Sequence, residues 1–172
     1  MKKKLLIFYI IFIIYTIFVL STFSETTLDL SKLFLFQGDW LLIMIFNSLG
    51  ILPIYYILFL SKFKKQKWYV YVLFVLGFMF GAFAIVPGLL LLKRKKNNLT
   101  KIKQILFITF PTILILMLLS GLVFGNLSYY FNLFLSDSFV NIMTIDYIFL
   151  ISIPYMDDVK SLPFLNLVIW QD

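Results

Sequence analysis

The third apolar segment of the chain governs how all the others are arranged, and it reads WYVYVLFVLGFMFGAFAIVPGLLLL (residues 68–92). Basic runs flank it on both sides, with four lysines within residues 62–67 and six Lys or Arg within residues 93–103. Positive charge normally collects on the cytoplasmic side of a membrane, but one crossing cannot leave both runs there. The segment therefore either crosses once or enters the membrane and returns to the same side.

Charge and length favour different answers for this segment. If every apolar segment crosses once, the 15 Lys and Arg divide almost evenly between the two sides, whereas re-entry puts all but Lys32 on one side. Against re-entry, about 25 residues reach about 37 Å as a helix, which is enough for a tilted span. Small residues spaced four, three and four apart also favour one helix with a close-packing face. We expect a continuous helix and keep re-entry as the alternative. The small residues are Gly77, Gly81, Ala84 and Gly88.

Composition places the whole chain in a membrane. Hydrophobic residues make up 62% and charged residues 13%, far from the averages of soluble proteins, and the mean hydropathy is +1.01. The apolar residues come in blocks without the period of 3.6 or 2, which is typical of helices surrounded by lipid. We expect an all-α polytopic bundle, one membrane domain over residues 1–172. Its five apolar segments are residues 5–23, 40–60, 68–92, 105–125 and 139–155, followed by an interfacial tail, 161–172.

The start of the chain is basic. Lys2, Lys3 and Lys4 precede the first segment, which could be a signal peptide or a first span. Its apolar run is longer than a signal core, so we favour an uncleaved span in the cell membrane with a cytoplasmic amino terminus.

Residue types that are missing exclude much active-site chemistry. The chain has no cysteine and no histidine, which removes thiol nucleophiles, imidazole bases and the usual zinc ligands. We expect no catalytic, cofactor or metal site. A net charge of +7 would suggest nucleic acid in a soluble protein, but here the charges flank apolar segments. The expected partner is the lipid bilayer, with a membrane protein or a second copy of the chain as a further possibility.

The glycine and proline positions indicate where helices pack closely and where they are interrupted. Gly121 and Gly125 in the fourth segment could meet the small residues of the third in an antiparallel pair, although such a spacing also arises by chance. Four further positions are expected to break or kink their helices, because proline cannot donate to the preceding turn. They are Gly50, Pro53, Pro87 and Pro154.

Asp146 is the main candidate for a functional side chain. It lies about 12 Å into the fifth segment, where a carboxylate costs several kcal/mol unless it faces a polar cavity, has a partner or is protonated. Asn141 and Thr144 are close to it in sequence, and re-entry of the third segment would place Asn47 at nearly the same depth. We keep three interpretations: a site for a proton or cation, structural bonding between helices with Asn47, or an Asp146 that lies in water.

Two acids follow Pro154. Asp157 and Asp158 stand at the expected membrane edge, where they could help to bind a cation but more often form a solvated helix end. About 16 Å along a helix separates Asp157 from Asp146, too far for one carboxylate pair.

Three motifs resemble those of a family of small multi-span membrane proteins found in bacteria and plastids, a family with no assigned activity. They are FNSLG at residues 46–50 with Pro53, Gly77 through GAFA at 81–84 with Pro87, and MTIDY at 143–147 with the pair Asp157 and Asp158. The resemblance covers roughly residues 40–92 and 139–160. It implies that Asn47, Asp146 and the glycine and proline positions belong to a shared design, and that the third segment is a full span.

Three functions remain open at this stage. The first is a small transporter or transporter subunit with Asp146 and Asn47 along a polar path. The second is a non-catalytic accessory or protective subunit that assembles a membrane complex through its small-residue faces. The third, an intramembrane lipid-modifying enzyme, would have to work with Asp146, Asp157 and Asp158 alone.

Overall fold

The computed structural model describes residues 2–23, 28, 30–61, 63, 65–93 and 101–156. Within these residues the chain is all-helical, as the sequence predicts. The eight helices of the described part are α1 (Lys2–Thr22), α2 (Leu30–Phe34), α3 (Trp40–Leu60), α4 (Trp68–Phe80), α5 (Ala82–Leu91), α6 (Lys101–Phe124), α7 (Leu127–Ser136) and α8 (Ser138–Met156).

Fewer helices than expected meet the length and hydropathy of a membrane span. Among the described residues, α1 and α3 do so, and the pair Thr109–Phe124 and Leu127–Ser136, bent by 104°, would be a third if it counts as one span. The prediction of about five spanning segments is therefore too high. The main reason is that the third segment is not one helix but two, of 13 and 10 residues.

Residues 68–92 form a helical hairpin, so the expectation of a continuous third helix is wrong. Gln66, just before α4, and Lys93, just after α5, exchange two hydrogen bonds of 2.9 Å between the Gln66 side chain and the Lys93 backbone. The segment thus returns to the place where it starts. The first basic run ends and the second begins at this place, which we call the basic end.

Small residues bring the two arms of the hairpin together. A Cβ at Gly77 would lie 2.6 Å from Ile85 Cγ1, and a Cβ at Gly88 would lie 2.5 Å from the Phe74 ring. Such distances are too short for a real Cβ, so the arms can pack this closely only because these positions have no side chain. Gly77 and Gly88 therefore serve mainly contacts within the segment.

The end opposite the basic end is defined by Asp39, the N-cap of α3. One carboxylate oxygen of Asp39 accepts from Leu42 N at 3.1 Å, and the other accepts from Asn126 N at 2.7 Å, just after α6. The start of α3 and the end of α6 thus meet, and the two helices run antiparallel. We call this the capped end.

Helix α8 lies between α1 and α3. Phe12 and Phe149 stack at 5.2 Å, and Tyr15 donates to Asn141 Oδ1 at 2.8 Å, which makes α1 and α8 antiparallel. Tyr56 on α3 donates to the carbonyl oxygen of Leu150 at 2.7 Å. Most of the buried side chains belong to one apolar core that these helices share.

The proline positions do not end their helices. Helix α3 continues through Gly50 and Pro53, α5 through Pro87, and the backbone of α8 through Pro154. The predicted helix breaks at these four positions are therefore not found, and the predicted kinks stay a prediction. The break comes instead at Gly81, for which the sequence predicts only close packing.

Candidate functional site

The apex of the hairpin is Gly81, the single residue between α4 and α5. Its N–H donates to Gly77 O at 2.9 Å and closes α4, while its carbonyl accepts from Ile85 N at 3.1 Å and opens α5. Its dihedral angles, φ 50° and ψ −129°, lie in a region that residues with a Cβ rarely adopt. Glycine at this position is therefore what lets the chain reverse without a loop.

Asp146 binds the apex from α8. Its Oδ1 atom accepts a hydrogen bond of 2.8 Å from the N–H of Ala82, the first residue of α5. A Cβ on residue 81 would overlap Oδ2 of the same carboxylate. The side chain is only 8% exposed. The aspartate thus fits against the hairpin because residue 81 is glycine, and it caps the amino-terminal end of α5, where the helix dipole favours negative charge.

The apex stands level with the middle of α3. A Cβ at Gly77 would lie 3.6 Å from Pro53 Cβ, and Gly81 is one turn further from the basic end. Since α3 spans Trp40–Leu60, that turn brings Gly81 to the level of Gly50, at the centre of the helix. The Asp146 carboxylate is therefore as far from the ends of the bundle as a side chain can be.

A cavity of about 450 Å³ lies between the apex and the capped end. Asp146 and Asn47 both line it, together with Ser138 and mainly apolar side chains from α1, α2, α3, α4, α5 and α8. Among the described residues that line the cavity, Asp146 is the only one with an ionisable side chain. The hairpin thus places Asn47 and Asp146 on one cavity, as re-entry of the third segment predicts.

Asn47 faces the cavity from α3, but its amide nitrogen serves the fold. That nitrogen donates to Ile43 O at 2.9 Å and, at the longer distance of 3.4 Å, to Leu33 O in α2. The first of these bonds lies within α3, and the longer one joins α3 to α2. Asn47 and Asp146 therefore share the cavity, while the aspartate accepts a hydrogen bond from Ala82 N.

Asn141 and Thr144 do not line the cavity. Asn141 donates to Phe134 O at 2.9 Å and accepts from Tyr15, and Thr144 Oγ1 lies 2.5 Å from the hydroxyl of Tyr130. These contacts join α8 to α7 and α1. Two of the four residues predicted for a polar site therefore line the cavity, and the other two hold helices together.

Helical spacing explains why Asn141 and Thr144 point away from the cavity that Asp146 lines, and this spacing can be read from the sequence. At 100° per residue, Asn141 and Thr144 lie about 140° and 160° around α8 from Asp146. The residues of α8 that do share the cavity precede Asp146 by three, four, seven and eight positions, which is one helical face. They are Met143, Ile142, Phe139 and Ser138.

The glycines of the fourth segment face α3. A Cβ at Gly121 would lie 3.1 Å from Met44 Cβ, and one at Gly125 would lie 2.5 Å from the backbone nitrogen of Leu41. The predicted pairing of these glycines with the third segment is therefore wrong. The hydrogen bonds of Asp39 with Leu42 N and Asn126 N hold the end of α6 beside the start of α3, whereas Gly77 and Gly88 pack between the two arms of the hairpin. Ala84 of that stripe is buried in α5.

Several predicted positions lie outside the described residues. Asp157, Asp158 and the tail 161–172 are among them, so the structure does not bear on the proposed membrane-edge acids or on an interfacial tail.

Comparison with known proteins leaves the site to be judged by its geometry. No protein-family model matches the chain, and neither a curated protein nor a solved structure matches it. The resemblance to a family of small multi-span membrane proteins stays a prediction.

Proposed function

We propose that this chain is a small membrane transporter, or the ion-handling subunit of one, in which Asp146 binds the transported cation or proton. The observation that carries the proposal is the contact between Asp146 and Ala82 at the apex of the hairpin, beside a cavity. Ionisable side chains at such depth usually mark a pathway for ions or protons. Transporters commonly build their sites where helices are interrupted near the membrane midplane.

The proposed topology has four crossings and one re-entrant hairpin. Helices α1, α3, α6 and α8 cross, and α4 and α5 enter from the basic end and return to it. With 19 residues, α8 reaches about 28 Å, close to the thickness of the hydrocarbon core. The basic end is cytoplasmic, because all the Lys and Arg except Lys32 then flank helix ends on that side. The carboxylates of Asp39 and Asp137 lie at the other end.

Local chemistry supports a positively charged occupant. A carboxylate removed from water is costly unless hydrogen bonds or an opposite charge replace its hydration. The Ala82 N–H and the amino-terminal end of α5 supply part of that replacement, equivalent to about half a positive charge. A cation or proton arriving through the cavity would supply the rest of what replaces the hydration of the carboxylate.

Flux through reconstituted protein tests the proposal. Purified protein in liposomes, under a potassium diffusion potential, should carry a proton or monovalent-cation flux above that of empty liposomes. Asp146→Asn should abolish this flux, because asparagine keeps the oxygen that accepts from Ala82 but loses the charge.

The matched control is Asp137→Asn. Asp137 is also a buried carboxylate that caps a helix, accepting from Val140 N at 3.0 Å, but it does not line the cavity. Asparagine caps a helix about as well as aspartate, so this variant should keep its flux. Equal flux in wild type and Asp146→Asn at equal reconstitution would contradict the proposal.

The accessory-subunit alternative loses the feature that suggested it. It needs small-residue faces that are free for a partner, but Gly77 and Gly88 pack inside the hairpin, and Gly121 and Gly125 pack on α3. A lipid-modifying enzyme would depend on Asp157 and Asp158, which lie outside the described residues. Neither alternative has a specific structural observation in its favour.

A further inference from the structure

We propose that the cavity binds a lipophilic organic cation, such as a quaternary ammonium or phosphonium ion with alkyl or aryl groups, with Asp146 as its counter-charge. The inference rests on the proposed function, since it names the class of cation that the same site takes. Three features of the cavity support it: its walls, its size and its mouth.

The walls of the cavity are unusually aromatic. Phenylalanines come from five different helices, and ring faces attract cations without requiring them to be small or hydrated. Apolar walls also stabilise the substituents of an organic cation, which a bare inorganic ion lacks. The phenylalanines are Phe34, Phe46, Phe78, Phe80, Phe83 and Phe139.

Polar groups in the cavity are too few for a hard metal cation. Asn47, Ser138 and Asp146 are the lining residues with polar side chains. Ca²⁺ and Mg²⁺ take six or more oxygen ligands, whereas these three side chains carry four oxygen atoms in all, one of which, Asp146 Oδ1, already accepts from Ala82 N. One carboxylate within an aromatic wall instead matches a large monovalent cation.

The size of the cavity and the position of its mouth agree with this class of ligand. The volume of about 450 Å³ falls within the range of small-molecule sites. Its rim includes Leu20, Met79 and Phe80, which are 62%, 80% and 53% exposed on the sides of their helices. In the proposed topology these side chains face lipid, so the mouth opens toward the bilayer, where lipophilic cations accumulate.

Binding of tetraphenylphosphonium to the purified full chain in detergent tests the proposal, with tetraphenylborate as a probe of the same shape and opposite charge. Equilibrium dialysis with each labelled ion should show saturable binding of the cation and at least about tenfold weaker binding of the anion. Asp146→Asn should weaken binding of the cation by at least about tenfold and reduce the difference between the two ions.

A second pair of variants keeps the test independent of how Asp146→Asn folds. Phe80→Leu removes a ring from the rim and should weaken binding of the cation about two- to fivefold. Phe18→Leu removes a ring that is similarly exposed, at 57%, but lies outside the cavity, and should leave binding unchanged.

Each outcome decides between the two proposals. Failure of wild type to bind the cation, equal binding of both ions, or equal effects of Phe80→Leu and Phe18→Leu would overturn the lipophilic-cation site. If a flux that depends on Asp146 is still observed, the proposed function stands with a proton or small cation as its cargo. If Asp146→Asn changes neither flux nor binding, both proposals fall.

Discussion

Gln66 and Lys93 lie 27 positions apart in sequence, yet the Gln66 side chain both donates to and accepts from the Lys93 backbone, at 2.9 Å each. Gln66 is buried whereas Lys93 is exposed, so the two bonds are partly shielded from water. They join the beginning and end of the helical hairpin formed by α4 and α5. Because Lys67 directly follows Gln66, the pair also places the last residue of the first basic run and the first residue of the second at one end of the bundle.

Chemical labelling of single cysteines should find positions 65 and 93 on the same side of the membrane. Lys65 and Lys93 are both exposed, and the chain has no cysteine of its own, so Lys65→Cys and Lys93→Cys each give one reactive group. A membrane-impermeant maleimide should label both variants in inside-out vesicles and neither in intact cells.

Gln37→Cys serves as the opposite control. Gln37 is exposed near Asp39 at the capped end and should be labelled in intact cells. Labelling of positions 65 and 93 from opposite sides would mean that residues 68–92 cross the membrane, and the hairpin would be refuted.

Replacement of Gly81 should destabilise the fold more than replacement of a glycine at which there is room for a side chain. Gly81→Ala introduces a Cβ at φ 50° that also overlaps the Asp146 carboxylate. We expect a loss of at least about 2 kcal/mol in the free energy of unfolding, measured by titration with a denaturing detergent.

Gly50→Ala provides the comparison within the same bundle. Gly50 lies inside α3, and a Cβ there would have no atom within 4 Å. Since alanine is the better helix former, this variant should be as stable as wild type or more stable, by up to about 1 kcal/mol. Similar losses in the two variants would show that the apex geometry is not what makes Gly81 necessary.

Removal of the Tyr130 hydroxyl should affect stability but not flux. Tyr130 and Thr144 form a buried hydrogen bond of 2.5 Å between α7 and α8, away from the cavity. Tyr130→Phe should lower the free energy of unfolding by about 0.6 to 1.5 kcal/mol, and the Asp146-dependent flux should be retained. Tyr129→Phe alters an exposed neighbour and should change neither quantity. A loss of flux with unchanged stability in Tyr130→Phe would place Thr144 in the functional site after all.

Half of the polar site could be predicted from the sequence. Asp146 stands out because a carboxylate inside an apolar segment needs a physical reason to be there, and this holds without any knowledge of its neighbours. Its hydrogen-bond partner could not be predicted, because a backbone N–H such as that of Ala82 leaves no trace in the residue type. Nor could the aromatic wall be predicted, since the chain has 21 phenylalanines and no pattern separates the six that meet at the cavity.

Composition and the blocks of apolar residues determined, without any structure, that the chain is helical and suited to lipid, because those properties depend on how each residue interacts with its solvent. Whether residues 68–92 form one continuous helix or a hairpin was decided only by tertiary structure. The choice depends on one backbone reversal at Gly81 and on contacts with Asp146 and between Gln66 and Lys93, each made between residues that are distant in sequence. Such contacts exist only once the helices have packed.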